Sequence, residues 1–97
     1  MKVKVRFFTS LREIVNKREA TLTFPESAKV TVDLVLKTLS QKYGTPFNEY
    51  VYSGKTGQPK GFLQFLVNGT STSTLSGLET ELGHCDVLAI LPPVGGG

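Results

Sequence analysis

The 97-residue chain has one cysteine, one histidine and no tryptophan. A single cysteine excludes an internal disulfide framework and a cysteine-rich zinc site. Cys85 lies next to His84, but the chain has no further cysteine or histidine from which a metal ligand set could be assembled. We therefore expect no metal site and assign Cys85 a structural role as a small buried residue.

Long apolar runs and blocks of like charge are also missing. No apolar run approaches the ~20 residues that a membrane-spanning helix needs. Residues 1–6 alternate apolar and basic side chains, which is unlike the apolar core of a signal peptide. The net charge of +3 is mild. We expect a cytoplasmic protein that binds neither membrane nor nucleic acid.

Strict alternation of apolar and polar residues predicts two strands near the start of the chain, at 2–8 and 19–24. A short helical turn between them would be capped by Ser10 and ended by Asn16. The short connection makes the strands antiparallel neighbours. The basic residues of the first strand are interpreted as the solvated face of an edge or half-covered strand; they are Lys2, Lys4 and Arg6.

The main helix is predicted to begin after Thr31 and to end at Gly44, which would occupy the left-handed position that closes many helices. Its apolar residues recur at helical spacing: Val32, Val35, Leu36, Leu39 and Tyr43. Residues 46–61 form a less regular stretch, anchored by Phe47, Tyr50, Val51 and Tyr52. Within it, the polar, glycine-rich residues 53–61 predict an exposed loop, either a partner contact or a tolerated insertion.

The last third of the chain predicts more strands. Residues 62–67 form a strand, and Asn68-Gly69 is a turn pair that leads to a short edge strand within 70–74. A short turn or helical segment follows at 75–82. The continuous apolar run at 87–91 predicts the central and most buried strand of the sheet. One helix across a mixed sheet is an α+β two-layer domain.

The final residues, 92–97, contain two prolines and three glycines. The prolines fix φ and stiffen the base of the segment, whereas the glycines give it little intrinsic order. We therefore divide the chain into a folded domain over residues 1–91 and a flexible C-terminal tail over residues 92–97.

Three motifs carry a family resemblance. Residues 77–82 lead into a turn closed by Asp86, the apolar strand 87–91 runs into residues 92–94, and the chain ends on Gly96-Gly97. With this order of elements, the chain resembles the ubiquitin-like β-grasp fold, which has a mixed four- to five-stranded sheet, one main helix and a Gly-Gly tail. It resembles most closely the MoaD/ThiS sulfur-carrier family, which includes the small subunit of molybdopterin synthase and the archaeal small modifier proteins.

The sequence departs from the family pattern at two places. Gly95 stands where the family often has alanine or serine, and the stretch at 46–61 is longer than in compact members. The longer stretch bears on the identity of the partner rather than on the chemistry of the tail.

The resemblance implies a function for the carboxylate of Gly97. An E1-like partner would use ATP to adenylate it, sulfur would replace AMP to give a thiocarboxylate, and the large subunit of molybdopterin synthase would receive the sulfur. The chain itself would be a co-substrate rather than an enzyme and would bind no cofactor. Tail recognition would involve Gly96 and Gly95 together with Val94, Pro93 and Pro92.

Alternation along the strands predicts where such partners dock. If Leu88 and Ile90 face the helix, an outer sheet face presents Leu66, Ala89 and Leu91 beside the tail. An exposed apolar cluster of this kind usually marks an interface. The alternative is that the loop within 46–61 covers this cluster.

Other functions remain open at this point. The same activation could end in an isopeptide bond to lysines of target proteins, which would make the chain a ubiquitin-like modifier. The sulfur could instead serve tRNA thiolation or thiazole synthesis. The most distant alternative is an interaction domain whose tail is never activated.

Overall fold

The computed structural model describes residues 1–92; the predictions for Pro93, Val94, Gly95, Gly96 and Gly97 lie outside the described residues. The described chain forms five strands, three α-helices and two single-turn 3₁₀ helices. In order they are β1 (Lys2–Phe7), α1 (Thr9–Val15), β2 (Glu19–Thr23), α2 (Val32–Tyr43), α3 (Thr45–Val51), β3 (Gln64–Val67), β4 (Thr70–Ser71), the 3₁₀ helices Thr72–Thr74 and Gly77–Glu79, and β5 (Val87–Leu91).

The strands form one mixed sheet in the order β2-β1-β5-β3-β4. β1 pairs with β2 in antiparallel orientation and with β5 in parallel orientation, and β3 is antiparallel to both β5 and β4. This is the β-grasp arrangement that the sequence predicted, with the final apolar strand at the centre. β1 lies between β2 and β5 and has one buried and one exposed face, so the half-covered alternative is confirmed and the edge-strand alternative was wrong.

The core lies between one face of the sheet and the helices. Strand residues contribute Val3, Val5, Phe7, Leu88 and Ile90, and α2 contributes Val32, Val35, Leu36 and Leu39, all almost completely buried. The predicted periodicity of α2 is confirmed. Its predicted cap is confirmed as well, because the backbone N–H of Leu34 donates to the Thr31 hydroxyl at 3.2 Å.

Two local predictions failed. Residues 46–61 were expected to be less regular, but the first part of this stretch belongs to α3, which begins directly after Gly44 (φ 73°). Pro46 lies in the first turn of α3, where its missing N–H costs no helical hydrogen bond. α1 begins at Thr9, so Ser10 lies inside the helix rather than at its cap, whereas Asn16 ends α1 in the left-handed conformation as predicted.

α3 anchors the stretch that follows it. Phe47 and Val51 are completely buried, and the Ser40 hydroxyl donates a hydrogen bond to the side-chain oxygen of Asn48, which joins α2 to α3. Two of the four predicted anchors, Tyr50 and Tyr52, are only partly buried.

The hydroxyl groups of Tyr43 and Tyr52 are buried, and among residues 1–92 neither has a hydrogen-bond partner. Burial raises the pKa of Tyr43 above its usual value near 10.0. The pKa of Tyr52 is raised by burial and, to a smaller extent, by the charge of Asp33. In both cases the folded state keeps a proton that the unfolded state releases, so the stability is intact below pH ~10 and declines as the pH rises above that value.

We predict that Tyr43→Phe leaves the free energy of unfolding at pH 7 unchanged or raises it by up to ~1 kcal/mol, because an unpaired buried hydroxyl is removed. The loss of stability above pH ~10 should be smaller than in the wild type. Urea denaturation between pH 7 and 11 measures both effects, with Tyr50→Phe as the control for loss of a tyrosine hydroxyl. An identical alkaline profile for the wild type and Tyr43→Phe would contradict this assignment.

Candidate functional site

The centre of the candidate site is β5, the strand from which the glycine-rich segment continues. Its alternation is clear: Leu88 and Ile90 are buried against the helices, whereas Val87, Ala89 and Leu91 are half-buried on the opposite side. The strand is not buried on both faces, but of the five described strands it alone has no exposed residue. The expectation of a central and most buried strand is therefore confirmed. β5 ends at Leu91, the last residue of the predicted domain, and the proposed division from the tail stays a prediction.

The side of the sheet that faces away from the helices, here called the outer face, brings the predicted docking residues together. The strand register places Leu66 opposite Ala89 and Gln64 opposite Leu91. Residues in register on neighbouring strands lie about 5 Å apart and point to the same side. Leu66, Ala89 and Leu91 are therefore neighbours, and each is half-buried.

The polar loop does not extend over this cluster. Tyr52 pairs with Pro59 across the loop, and the backbone N–H of Lys60 donates to the carbonyl of Val51 at the end of α3, at 2.7 Å. Pro59 and Lys60 line a cleft together with Leu63, Phe65 and Leu78. Because Leu63 and Phe65 belong to the core, the loop lies against the helix side of the sheet.

A network of side-chain hydrogen bonds fixes the start of β5. The carboxylate of Asp86 accepts hydrogen bonds from the Gly83 backbone N–H at 2.7 Å and from the Asn68 side-chain amide at 3.0 Å. The side-chain oxygen of Asn68 accepts a hydrogen bond from the Val87 N–H at 3.0 Å. The turn closed by Asp86 is thus confirmed, and Asn68-Gly69, with both residues at positive φ, forms the predicted turn between β3 and β4.

Cys85 is exposed, so the expectation of a buried cysteine was wrong. It adopts a positive φ of 69° in the turn before β5, and its N–H donates to the carbonyl of Lys2 at 2.8 Å. The N–H of Lys2 in turn donates to His84 Nδ1 at 3.0 Å. These residues tie the turn to β1, and within residues 1–92 no group of three or more metal-ligating side chains occurs.

Sequence reasoning missed the charged half of the outer face. β1 directs Lys2, Lys4 and Arg6 to the same side as the apolar cluster, and Arg6 is in register with Ala89. Alternation alone showed that these side chains are exposed. The missing signal was the parallel pairing of β1 with β5, which follows from the topology and not from any local pattern.

The outer face therefore presents an apolar cluster and a row of basic side chains beside β5, the strand that continues into the tail. The predicted tail residue Pro92 is half-buried at the end of β5. The predicted reactive residue Gly97, like the rest of the tail after Pro92, lies outside the described residues. None of the helices within residues 1–92 has the length and apolar character required to cross a membrane.

Comparison with known proteins places this architecture in a family. The model of the ThiS family matches residues 5–97. The small archaeal modifier protein 3 of Haloferax volcanii is 30% identical over 97 residues, which is the whole length of both chains. The solution structure of small archaeal modifier protein 1 from Methanosarcina acetivorans is 36% identical, with a TM-score of 0.80, and the match covers 99% of this chain and 96% of that one.

A similar structure also comes from a complex. A chain in the crystal structure of the BexX/CysO complex of Amycolatopsis orientalis is 25% identical, with a TM-score of 0.73 and coverage of 98% of this chain and 99% of that one. The neighbours confirm the ubiquitin-like β-grasp fold. The chain belongs to the ThiS family of ubiquitin-like sulfur carriers, to which the small archaeal modifier proteins are related.

Proposed function

We propose that this protein is a sulfur carrier whose Gly97 carboxylate is adenylated, converted to a thiocarboxylate and used as the sulfur donor in molybdopterin biosynthesis. The observation that carries the proposal is the family match, which extends through the glycine-rich segment to Gly97. The position of β5 supports it, because the tail continues from the central strand of a firmly packed sheet.

The chemistry explains why activation is needed. A C-terminal carboxyl group has a reference pKa of about 3.3–3.7, so at neutral pH it is an ionised carboxylate and a poor electrophile. Attack of one carboxylate oxygen on the α-phosphorus of ATP releases pyrophosphate and forms an acyl-adenylate. Hydrosulfide then attacks the carbonyl carbon, loses its proton and displaces AMP, so one oxygen of the carboxylate is replaced by sulfur.

In this proposal the catalytic groups belong to the partners. An E1-like adenylating enzyme binds ATP, and the large subunit of molybdopterin synthase, or another acceptor enzyme, receives the sulfur. The chain is a co-substrate and needs no cofactor of its own. Because the activation uses ATP, we place the protein in the cytoplasm.

The composition of the tail fits a narrow active-site channel. Gly96 and Gly97 have no Cβ, so the backbone can approach the walls of the channel closely. Gly95 serves as a spacer, and Val94, Pro93 and Pro92 form the base of the tail. Substitution of Gly96 would obstruct entry, whereas a small residue at position 95 would be tolerated.

The outer face supplies the recognition surface in this proposal. A partner that covers Leu66, Ala89 and Leu91 removes apolar area from water, which contributes about 25 cal/mol per Å². The same contact holds the base of the tail at the entrance to the partner's active site. Docking and tail insertion are therefore two parts of a single binding event.

A second function has a specific observation in its favour. One relative that is 30% identical over its full length is a small archaeal modifier protein. The same acyl-adenylate could pass the Gly97 carbonyl to the amine of a lysine on a target protein, with formation of an isopeptide bond. The two functions share the activating step and are compatible in one protein.

We predict that protein isolated from its native cells contains a fraction whose mass is about 16 Da higher, because one oxygen of the terminal carboxylate has been replaced by sulfur. Intact-mass spectrometry with fragmentation of the C-terminus measures it. A variant that lacks Gly96 and Gly97 should show no such fraction and should not support cofactor synthesis. Gly-Gly remnants on lysines of other proteins, without the mass increase, would favour the modifier function instead.

We also predict that Leu66→Asp weakens binding to both the activating and the acceptor enzyme by tenfold or more, because a desolvated charge would replace a central apolar contact. Binding titrations measure the effect. Leu75→Asp is the matched control, since Leu75 is 49% exposed and is not on the outer-face strands. Unchanged binding of Leu66→Asp to both enzymes would remove the outer face from the proposal.

A further inference from the structure

The outer face has a charged half that the apolar cluster does not explain. Along β1, the side chains of Lys2, Lys4 and Arg6 all point to this face. The register places Lys4 beside Val87 and Arg6 beside Ala89 on β5. Ala89 is also in register with Leu66. Leu66, Ala89 and Arg6 therefore form a row across the sheet that is apolar at one end and basic at the other.

Glu19 is the one carboxylate that the described strands present to these cations. It lies opposite Arg6 on β2, with its carboxylate oxygens 3.7 Å from Lys4 Nζ and 4.0 Å from Arg6 Nε. All three side chains are about half exposed. These long, exposed contacts are weak, and one carboxylate cannot balance three cations. The outer face therefore keeps a net positive charge along β1.

The surface beside these cations is concave. A cavity of about 330 Å³ extends over β2, β1 and the start of β5, lined by Lys2, Lys4, Thr21, Cys85 and Val87. Two of its lining residues, Lys2 and Lys4, are basic, and a third, Val87, precedes Ala89 of the apolar cluster by two positions on β5. A carboxylate side chain from a partner surface would be small enough to enter this cavity and opposite in charge to Lys2 and Lys4.

We infer that the protein partner that binds the outer face is acidic where it meets β1, with carboxylates directed at Lys2, Lys4 and Arg6 and an apolar surface over Leu66, Ala89 and Leu91. This inference rests on the proposed carrier function and specifies the chemistry of the partner. Glu19 acts as a weak internal competitor, because its carboxylate lies near Lys4 and Arg6 and competes with the carboxylates of the partner.

A nucleic acid is the competing explanation for a row of cations. The adjacent apolar cluster favours a protein, because a phosphate backbone offers nothing to cover Leu66, Ala89 and Leu91. An apolar centre with a charged border is the usual arrangement of protein–protein interfaces. Complementary charge at such a border mainly raises the association rate, and the effect weakens as salt is added.

The test uses the full chain and the purified E1-like adenylating enzyme from the same organism. Affinity is measured by fluorescence titration at low and high salt for the wild type and two outer-face variants. The double variant Lys4→Gln/Arg6→Gln should bind about tenfold more weakly at low salt and should lose most of the salt dependence. Glu19→Gln should bind about two- to fivefold more tightly, because it frees both cations.

The matched control is Lys42→Gln/Lys55→Gln, which removes the same charge from α2 and from the loop on the helix side. Its affinity should stay within twofold of the wild-type value. Thermal unfolding of every variant checks that the sheet is intact. Equal losses in the two double variants would overturn the inference, because net charge rather than the outer face would then be responsible. An unchanged affinity of Glu19→Gln would also overturn it, because the cations beside Glu19 would then contribute nothing to binding.

Two further outcomes separate this inference from the proposed function. If the adenylating enzyme does not bind and yet the thiocarboxylate forms in cells, the inference is overturned while the carrier function stands. If neither enzyme binding nor the thiocarboxylate is observed, both the inference and the carrier function fail. A tRNA transcript serves as the nucleic-acid probe. If the wild type binds it more tightly than it binds the enzyme, and Lys4→Gln/Arg6→Gln abolishes that binding, the partner of the basic residues is RNA rather than an acidic protein.

Discussion

The structure depends on the pairing of β5 with two strands that are distant in sequence. β5 lies between β1, to which it is parallel, and β3, to which it is antiparallel. The buried residues Leu88 and Ile90 hold it against the helices, and the Asn68–Asp86 hydrogen bonds fix its start. The segment that ends in Gly97 thus continues from a strand that cannot shift without disrupting both halves of the sheet.

The same pairing creates the surface that we propose as the docking site. β3 and β5 bring apolar side chains to the outer face, and β1 brings basic ones. The side chains that face inward determine the stability of the fold, and those that face outward are free to determine partner choice. A carrier needs inward-facing side chains that keep the body rigid and outward-facing side chains that bind partners, because the same body must present its tail to more than one enzyme.

Much of the fold could be predicted from local patterns. Alternation identified β1, β2 and β5, and the helical spacing after Thr31 identified α2 and its cap. α3 was missed because the predicted helix end at Gly44 is followed closely by Pro46, although proline in a first turn is compatible with the start of a new helix. The apolar cluster was placed correctly by alternation, whereas the basic row was missed because its position depends on which strand lies beside β1.

The central claim is that Gly97 itself reacts with ATP, and one isotope measurement tests it most directly. The carboxylate of Gly97 is enriched in a heavy oxygen isotope, and the protein is incubated with ATP, the adenylating enzyme and a sulfur donor. Because a carboxylate oxygen attacks the α-phosphorus and leaves with it, the account predicts that the released AMP carries one labelled oxygen. AMP without the label, released at the same rate, would contradict the account.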